Sequence, residues 1–229
     1  VEPFNPTKFD AKTIVANAKA AGQKYIVFTS RHHDGLSMFD TNVRTFKDYS
    51  LFSAANYGNY TGTDPMLELS RECERQGIKF CTYITIMDWH DPSQTNYGAT
   101  MDPAQKEEFI YRLKAQIREL VEVYHTNMIW FDGQWQSWWT QKDAEEMYRY
   151  VRMLDSDLII NDRLGHDCGD YTTPEQEIPE TGLDYDWESC MTLNYSWGYH
   201  KTDRNWKSSK TVMNNLVDCV SKGGNYLLN

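Results

Sequence analysis

Asp132 follows the apolar run Met128-Ile129-Trp130-Phe131 and precedes Gly133. A run of that length closed by a glycine reads as a strand buried on both faces of a parallel sheet, which puts the carboxylate at the strand's carboxyl end. Ligands of α/β folds bind at that end, in open sheets and barrels alike. Trp135, Trp138 and Trp139 come next, and indole faces beside a carboxylate suit the apolar face of a sugar ring. A single Asp in this place can also do no more than cap the following turn, so the other strand ends decide between the two readings.

Every one of those ends but the last is polar. A strand over residues 24–29 exits into Ser30-Arg31-His32-His33-Asp34-Gly35, and one over 78–86 into Met87-Asp88-Trp89-His90. A strand over 158–160 exits into Asn161-Asp162-Arg163, and a short one over 185–188 ends on Glu188. Any one of these groups could cap a helix. Five together describe a polar pocket on the carboxyl face of a parallel α/β fold. His32 and His33 raise the question of a metal. Adjacent residues of a strand point to opposite faces, so the pair can share an ion only where the strand has already broken. The chain also lacks HxH and HExxH spacings, which argues for hydroxyl binding over metal ligation.

The elements that must carry these residues alternate. Helices are expected over 10–22, 64–77, 102–124, 142–154 and 205–221, with Asp64-Pro65 and Asp102-Pro103 as capped starts and Gly22 and Gly77 as stops. With a last strand over 223–228, six strands alternate with helices and no hairpin signal intervenes, which predicts a parallel sheet with right-handed crossovers. Residues 164–184 read as irregular. No GxGxxG or GxxxxGK motif supports nucleotide binding.

Composition narrows the function further. The 229 residues carry a net charge of −10, and 14% of them are aromatic, including eight Trp and fifteen Tyr. An acidic chain with pI near 5.0 is a poor partner for nucleic acid or an anionic membrane, and no apolar run reaches the roughly 18 residues of a membrane span. The chain opens on Val1-Glu2-Pro3-Phe4, which has no leader character. The five cysteines form no CxxC pair and read as buried thiols, with a Cys168–Cys190 bridge as the alternative. Asn59-Tyr60-Thr61 and Asn194-Tyr195-Ser196 match the glycosylation sequon.

Six segments taken in order carry a resemblance over nearly the whole chain. They are Tyr25-Ile-Val-Phe-Thr-Ser-Arg-His-His-Asp-Gly35, Trp130-Phe-Asp-Gly133, Asn161-Asp-Arg163, Trp187-Glu-Ser-Cys190, Ser196-Trp-Gly-Tyr199 and Gly223-Gly-Asn-Tyr-Leu-Leu-Asn229. Together they resemble family 29 of the glycoside hydrolases, the retaining α-L-fucosidases. The resemblance implies an α/β, (β/α)8-like (TIM-type) barrel, with residues 1–229 as one catalytic domain. It implies release of terminal α-L-fucose from a fucosylated oligosaccharide or glycoconjugate, no metal and no organic cofactor, and a periplasmic, secreted or lysosomal setting.

Residue by residue, the resemblance makes Asp132 the nucleophile. His32 and His33 would bind fucose hydroxyls, Trp130 would lie along the sugar, Arg163 would stand near nucleophile and sugar, and Trp197 would house the C6 methyl. Tyr83 is a weaker match, to a tyrosine of the third family strand. Glu175, 43 residues beyond Asp132 (175 minus 132), stands where the family usually has its acid/base, with Glu188 as runner-up and Glu177 behind it. The mechanism needs the two carboxyls roughly 5–5.5 Å apart. The family's first strand, with a His-Trp-Gly exit that also contacts fucose, has no counterpart, and the family normally continues beyond the position of Asn229. A fragment of a longer protein, or an incomplete barrel, is therefore expected. The segments around Trp135 and Thr173-Pro174-Glu175 look more like the broad-specificity branch. Two other readings remain: a non-catalytic fucose-binding barrel, and a metal-dependent hydrolase using His32, His33, Asp132 and Asp162.

Overall fold

Each α-helix among the described residues begins where a side chain can satisfy the first orphaned N–H groups. The structure, a computed structural model, describes residues 5–43, 50, 52, 62–94 and 101–229; elements are numbered along these. Helix α1 is Ala11–Ala20, capped by Asp10, whose carboxylate accepts from Thr13 N at 3.1 Å. Helix α2, Pro65–Gln76, starts on Asp64 and stops at Gly77, which sits at φ 77° in the left-handed region that glycine enters without strain. Helix α3, Pro103–Glu122, starts on Asp102, and α4, Gln141–Leu154, starts on a reciprocal Thr140/Asp143 capping box. Each such cap is worth about 1 kcal/mol.

The chain divides into two compact units, one of Val1–Ile160 with Leu164–Cys168 and one of Asn161–Arg163 with Gly169–Asn229. In the first, strands β1 (Tyr25–Arg31), β2 (Lys79–Thr85), β3 (Met128–Asp132) and β4 (Ile159–Ile160) form a parallel sheet in chain order. All five residues of β3 are buried, as a strand covered on both faces must be. Its inner residues pack with Ile84, Ile117, Leu120, Met147 and Val151 into one core. Register pairs Tyr83 with Trp130 and Thr85 with Asp132. At the end of β1 the ladder slips between Thr29 and Arg31, a bulge that re-aims the strand's last side chains. The buried Arg31 then donates to Thr85 O at 2.8 Å and Met87 O at 3.3 Å, and its guanidinium lies 3.7 Å from Asp88. It ties the exit of β1 to the exit of β2.

In the second unit, β5 (Glu188–Met191) and β6 (Asn225–Leu228) pair in parallel, with α5 (Ser209–Ser221) between them in sequence. Trp187 is buried over Gly224, where a Cβ would come within 2.3 Å of the indole.

The described elements follow the α/β alternation and the parallel pairing expected, with six strands among the described residues. Three details differ. The strands divide into two sheets instead of one. The strand expected over 185–188 is displaced, so Glu188 opens β5 instead of closing a strand, because Trp187 is taken up by packing on Gly224 while Glu188–Met191 runs in register with Asn225–Leu228. The irregular 164–184 stretch is partly ordered by backbone pairing: Glu188 N donates to Thr172 O at 2.9 Å, Cys190 N to Pro174 O at 3.1 Å and Gln176 N to Cys190 O at 2.9 Å. All five cysteines are free, so Cys168 and Cys190 are not bridged. The sequon at Asn59 lies outside the described residues, while Asn194 is buried with its Oδ1 accepting from Ser196 N. Among the described residues no helix is long and apolar enough to cross a membrane.

Candidate active site

In a parallel ladder, residues two apart share a face, so Tyr83 and Thr85 of β2 line up beside Trp130 and Asp132 of β3. Asp132 is the last residue of β3 and 7% exposed. Tyr83 Oη donates to its Oδ2 at 2.8 Å. His33 Nε2 stands 3.4 Å from the same oxygen, and His33 Nδ1 lies 2.6 Å from Thr85 Oγ1. A stack runs alongside: the Tyr83 ring lies 5.3 Å from His32 at 6° and 5.6 Å from Trp130 at 22°. Five of the expected site residues, His32, His33, Tyr83, Trp130 and Asp132, thus meet in one cluster.

The two histidines sit differently from strict strand alternation. Strand β1 ends at Arg31, and the His32 and His33 rings lie side by side with centroids 4.4 Å apart. The bulge and the turn after it make this possible. Gly35 takes φ 82° there, and a Cβ on it would strike Asp88 Oδ1 at 2.1 Å, so the close approach needs glycine. Burial of the His32 ring, and then the neighbouring His33, push the His32 pKa below its ordinary value, against the pull of Asp34 and Asp132. Among the described residues no group of three or more His, Cys, Asp or Glu is gathered closely enough to hold a metal ion.

The indoles after Asp132 divide. Trp135 is 50% exposed, with its ring edge-on to His33 at 5.6 Å, whereas Trp138 and Trp139 are core residues. Trp138 packs edge-on against Phe109, and Trp139 donates its Nε1–H to Leu164 O at 2.8 Å. Of the three indoles expected to face a sugar, only Trp135 is placed to do so. Trp89, at the exit of β2, is half-exposed and 5.4 Å from His33 on ring centroids. Sequence reasoning assigned no role to Trp89 or to Thr85. The period-two spacing of Tyr83 and Thr85, together with the polar Asp88-Trp89-His90 exit, was the available signal.

The second unit holds its own cluster. Arg163 donates to Thr173 Oγ1 at 2.9 Å and to Glu175 Oε2 at 2.7 Å, and Thr173 Oγ1 donates to Asp162 Oδ1 at 2.7 Å. Glu175 is thus an ion-paired carboxylate on a segment laid along β5, not on a loose loop. Burial pushes the nearby Cys190 thiol up to about 12, so it is not a nucleophile at neutral pH. Glu188 is 2% exposed. Glu177 contributes its carbonyl, which accepts from Ser189 Oγ at 2.5 Å. Trp197 is 42% exposed, and its carbonyl accepts from Asn229 Nδ2 at 2.7 Å. The loop around Trp197 is pinned by Asp203, which accepts from Tyr195 N, Ser196 Oγ and Asn205 N, each at 3.0 Å.

Comparison with known proteins adds the following. The family model described as alpha-L-fucosidase matches residues 1–229. Among curated proteins, the alpha-L-fucosidase of Dictyostelium discoideum is 26% identical over 246 residues, covering 100% of this chain and 50% of its own length. The tissue alpha-L-fucosidase of Bos taurus is 28% identical, covering 92% of this chain and 46% of its own length. The chain therefore spans about half the length of the curated relatives it matches. Among solved structures, alpha-L-fucosidase isoenzyme 1 from Paenibacillus thiaminolyticus superposes with a TM-score of 0.86 at 34% identity, covering 99% of this chain and 58% of that one. A Bacteroides thetaiotaomicron alpha-L-fucosidase, trapped as a covalent intermediate with 2-fluoro-fucosyl fluoride, gives 0.85 at 28% identity, covering 98% and 56%. The neighbours' catalytic domains are (β/α)8 barrels, and the parallel α/β elements of this chain are of that class.

Proposed function

Because the chain belongs to the α-L-fucosidase family, we propose that the protein is a retaining α-L-fucosidase that releases terminal α-L-fucose from glycans or fucosides. The observation that carries this reading is Asp132: a buried carboxylate at a strand's carboxyl end, hydrogen-bonded by Tyr83 and flanked by His33. Asp132 attacks the anomeric carbon, and the bond from that carbon to the aglycone oxygen breaks as the oxygen takes a proton from the acid. The fucosyl ester of Asp132 is then opened by water, whose proton returns to the same residue, now a base. His32 and His33 bind fucose hydroxyls, Trp130 lies along the ring, and Arg163 and Trp197 complete the sugar's contacts.

Glu175 is the acid/base in this reading. A specific observation favours Glu188 as the second reading. Glu175 is held by Arg163 at 2.7 Å, an ion pair that the carboxylate must leave to meet a leaving oxygen. Glu188 is almost wholly buried and opens β5, a more fixed place than that of Glu175. Both units then belong to one catalytic domain, which a single family model running through residues 1–229 supports. Fucosylated glycans are the substrate class; a relative from the same family was crystallised with Fucα(1,6)GlcNAc. Such substrates suit a periplasmic, secreted or lysosomal place of work.

The test is turnover of an aryl α-L-fucoside, with the first-formed anomer followed by NMR. The α-anomer of fucose is expected first, at a rate indifferent to a chelator. The β-anomer first would remove the covalent intermediate. Fucose binding without turnover would leave a binding protein. Loss of activity to the chelator, restored by metal, would favour a metal-dependent hydrolase.

A further inference from the structure

Thr85 is fully buried at the end of β2, and its hydroxyl oxygen has three polar neighbours. They are His33 Nδ1 at 2.6 Å, Met87 N at 3.0 Å and Asp132 O at 3.2 Å. Met87 N can only donate, so it occupies a lone pair of the hydroxyl. The single hydroxyl proton then has two possible acceptors. Asp132 O already accepts from Ile86 N at 2.9 Å, and the contact to His33 is the shorter of the two.

The far side of the imidazole decides between them. His33 Nε2 faces Asp132 Oδ2 at 3.4 Å. With a neutral ring protonated on Nδ1, Nε2 would turn a lone pair toward a carboxylate in a buried site, two acceptors with no proton between them. With Thr85 donating to Nδ1, the ring proton moves to Nε2, and the carboxylate meets a donor instead. A second partner on the other ring nitrogen is how proteins select one histidine tautomer.

We propose that Thr85 is a positioning residue that locks His33 as the Nε2–H tautomer. A neutral imidazole then offers its one N–H on the side of Asp132 Oδ2, the oxygen that Tyr83 also holds. Two donors on one oxygen steady the carboxylate's rotation without placing a cation beside it. The same N–H is the group an incoming sugar hydroxyl would meet. The effect on rate rests on reading Asp132 as the fucosidase nucleophile; the effect on the tautomer does not.

Two-bond proton–nitrogen NMR of the protein labelled with 15N-histidine reads the tautomer directly. The wild-type protein is expected to show His33 with an unprotonated Nδ1 and a protonated Nε2. Thr85→Val keeps the shape and removes the hydroxyl. It should lose that single pattern and cut kcat/KM on an aryl fucoside about tenfold, mainly in kcat, the effect of one lost hydrogen bond. Thr85→Ser should keep both the pattern and the rate. A wild-type His33 protonated on Nδ1 overturns the proposal even if Thr85→Val does not fold. So does a Thr85→Val protein with an unchanged pattern, whatever its rate, and so does an altered pattern at an unchanged rate. If the tautomer responds as expected but the wild-type protein releases no fucose, the fucosidase reading falls and Thr85's hold on the ring stands.

Discussion

Asp132 and Glu175 are both carboxylates proposed for one reaction, and the protein holds them in different ways. Asp132 is 7% exposed, sits in a continuous parallel ladder and has Tyr83 and His33 on one oxygen. Glu175 has a side chain 43% exposed, on a segment tied to β5 by isolated bridges, with an arginine at 2.7 Å. The first arrangement sets a phenol and an imidazole on a carboxylate at the end of a continuous ladder, and it fixes direction. The second uses an opposite charge on a less regular backbone. A nucleophile must stay ionised and aimed. An acid/base must change its protonation twice in each cycle.

The largest effect that tests this contrast is expected from Asp132→Gly. Loss of the nucleophile should lower kcat by at least about 10³-fold, with azide restoring turnover of an activated fucoside as the β-fucosyl azide. Near-wild-type activity would remove Asp132 from the mechanism. Next comes the acid. Glu175→Ala should cost roughly 10²–10⁴-fold on a fucosyl disaccharide and far less on a dinitrophenyl fucoside, whose leaving group needs no proton. Azide should then give the α-fucosyl azide, because it opens an intermediate already formed. The same leaving-group dependence appearing with Glu188→Ala, and not with Glu175→Ala, would transfer the role to Glu188.

Smaller effects probe the rigid side of the comparison. Tyr83→Phe deletes the 2.8 Å hydrogen bond to Asp132 and should reduce kcat/KM about tenfold while leaving the leaving-group dependence unchanged; a change in that dependence would mean Tyr83 takes part in proton transfer. The smallest effect is on stability. The pKa of His32 is lowered in the folded protein from an ordinary 6.5, so the unfolded chain takes up that proton at a higher pH than the folded one. Stability therefore falls as pH drops through about 6.5, and the loss levels off below the folded pKa. The drop in Tm between pH 7.5 and pH 5.5 should be smaller in His32→Gln than in the wild type. An equal drop in both proteins would show that His32 is not the group responsible.

Much of this arrangement was legible before the structure. The starts Asp64-Pro65 and Asp102-Pro103 and the stop at Gly77 lie where they were expected, and Asp132 ends its strand. What misled was mostly a matter of partners. Trp138 and Trp139 looked like sugar-facing indoles and are core, because Phe109 of α3 and the Leu164 carbonyl receive them. His32 and His33 were expected beyond a strand over 24–29, and they do follow its end; that their rings lie side by side depends on the ladder slipping at Thr29 and ending at Arg31. Glu188 looked like a strand end and begins a strand, because its register is set by Asn225, 37 positions later in the chain (225 minus 188).

Local rules can be read from the residues alone: which residues cap, which runs are buried and which strand ends are polar. These signals act over three or four residues, the reach of a helical turn or of strand alternation. Which of those ends meet depends on how the strands pair and the core packs. Tyr83 and Thr85 reach Asp132 across 49 and 47 positions, and His33 reaches Thr85 across 52. Contacts at that separation come from strand pairing and core packing, and no pattern within a few residues encodes which hydroxyl lies against which imidazole.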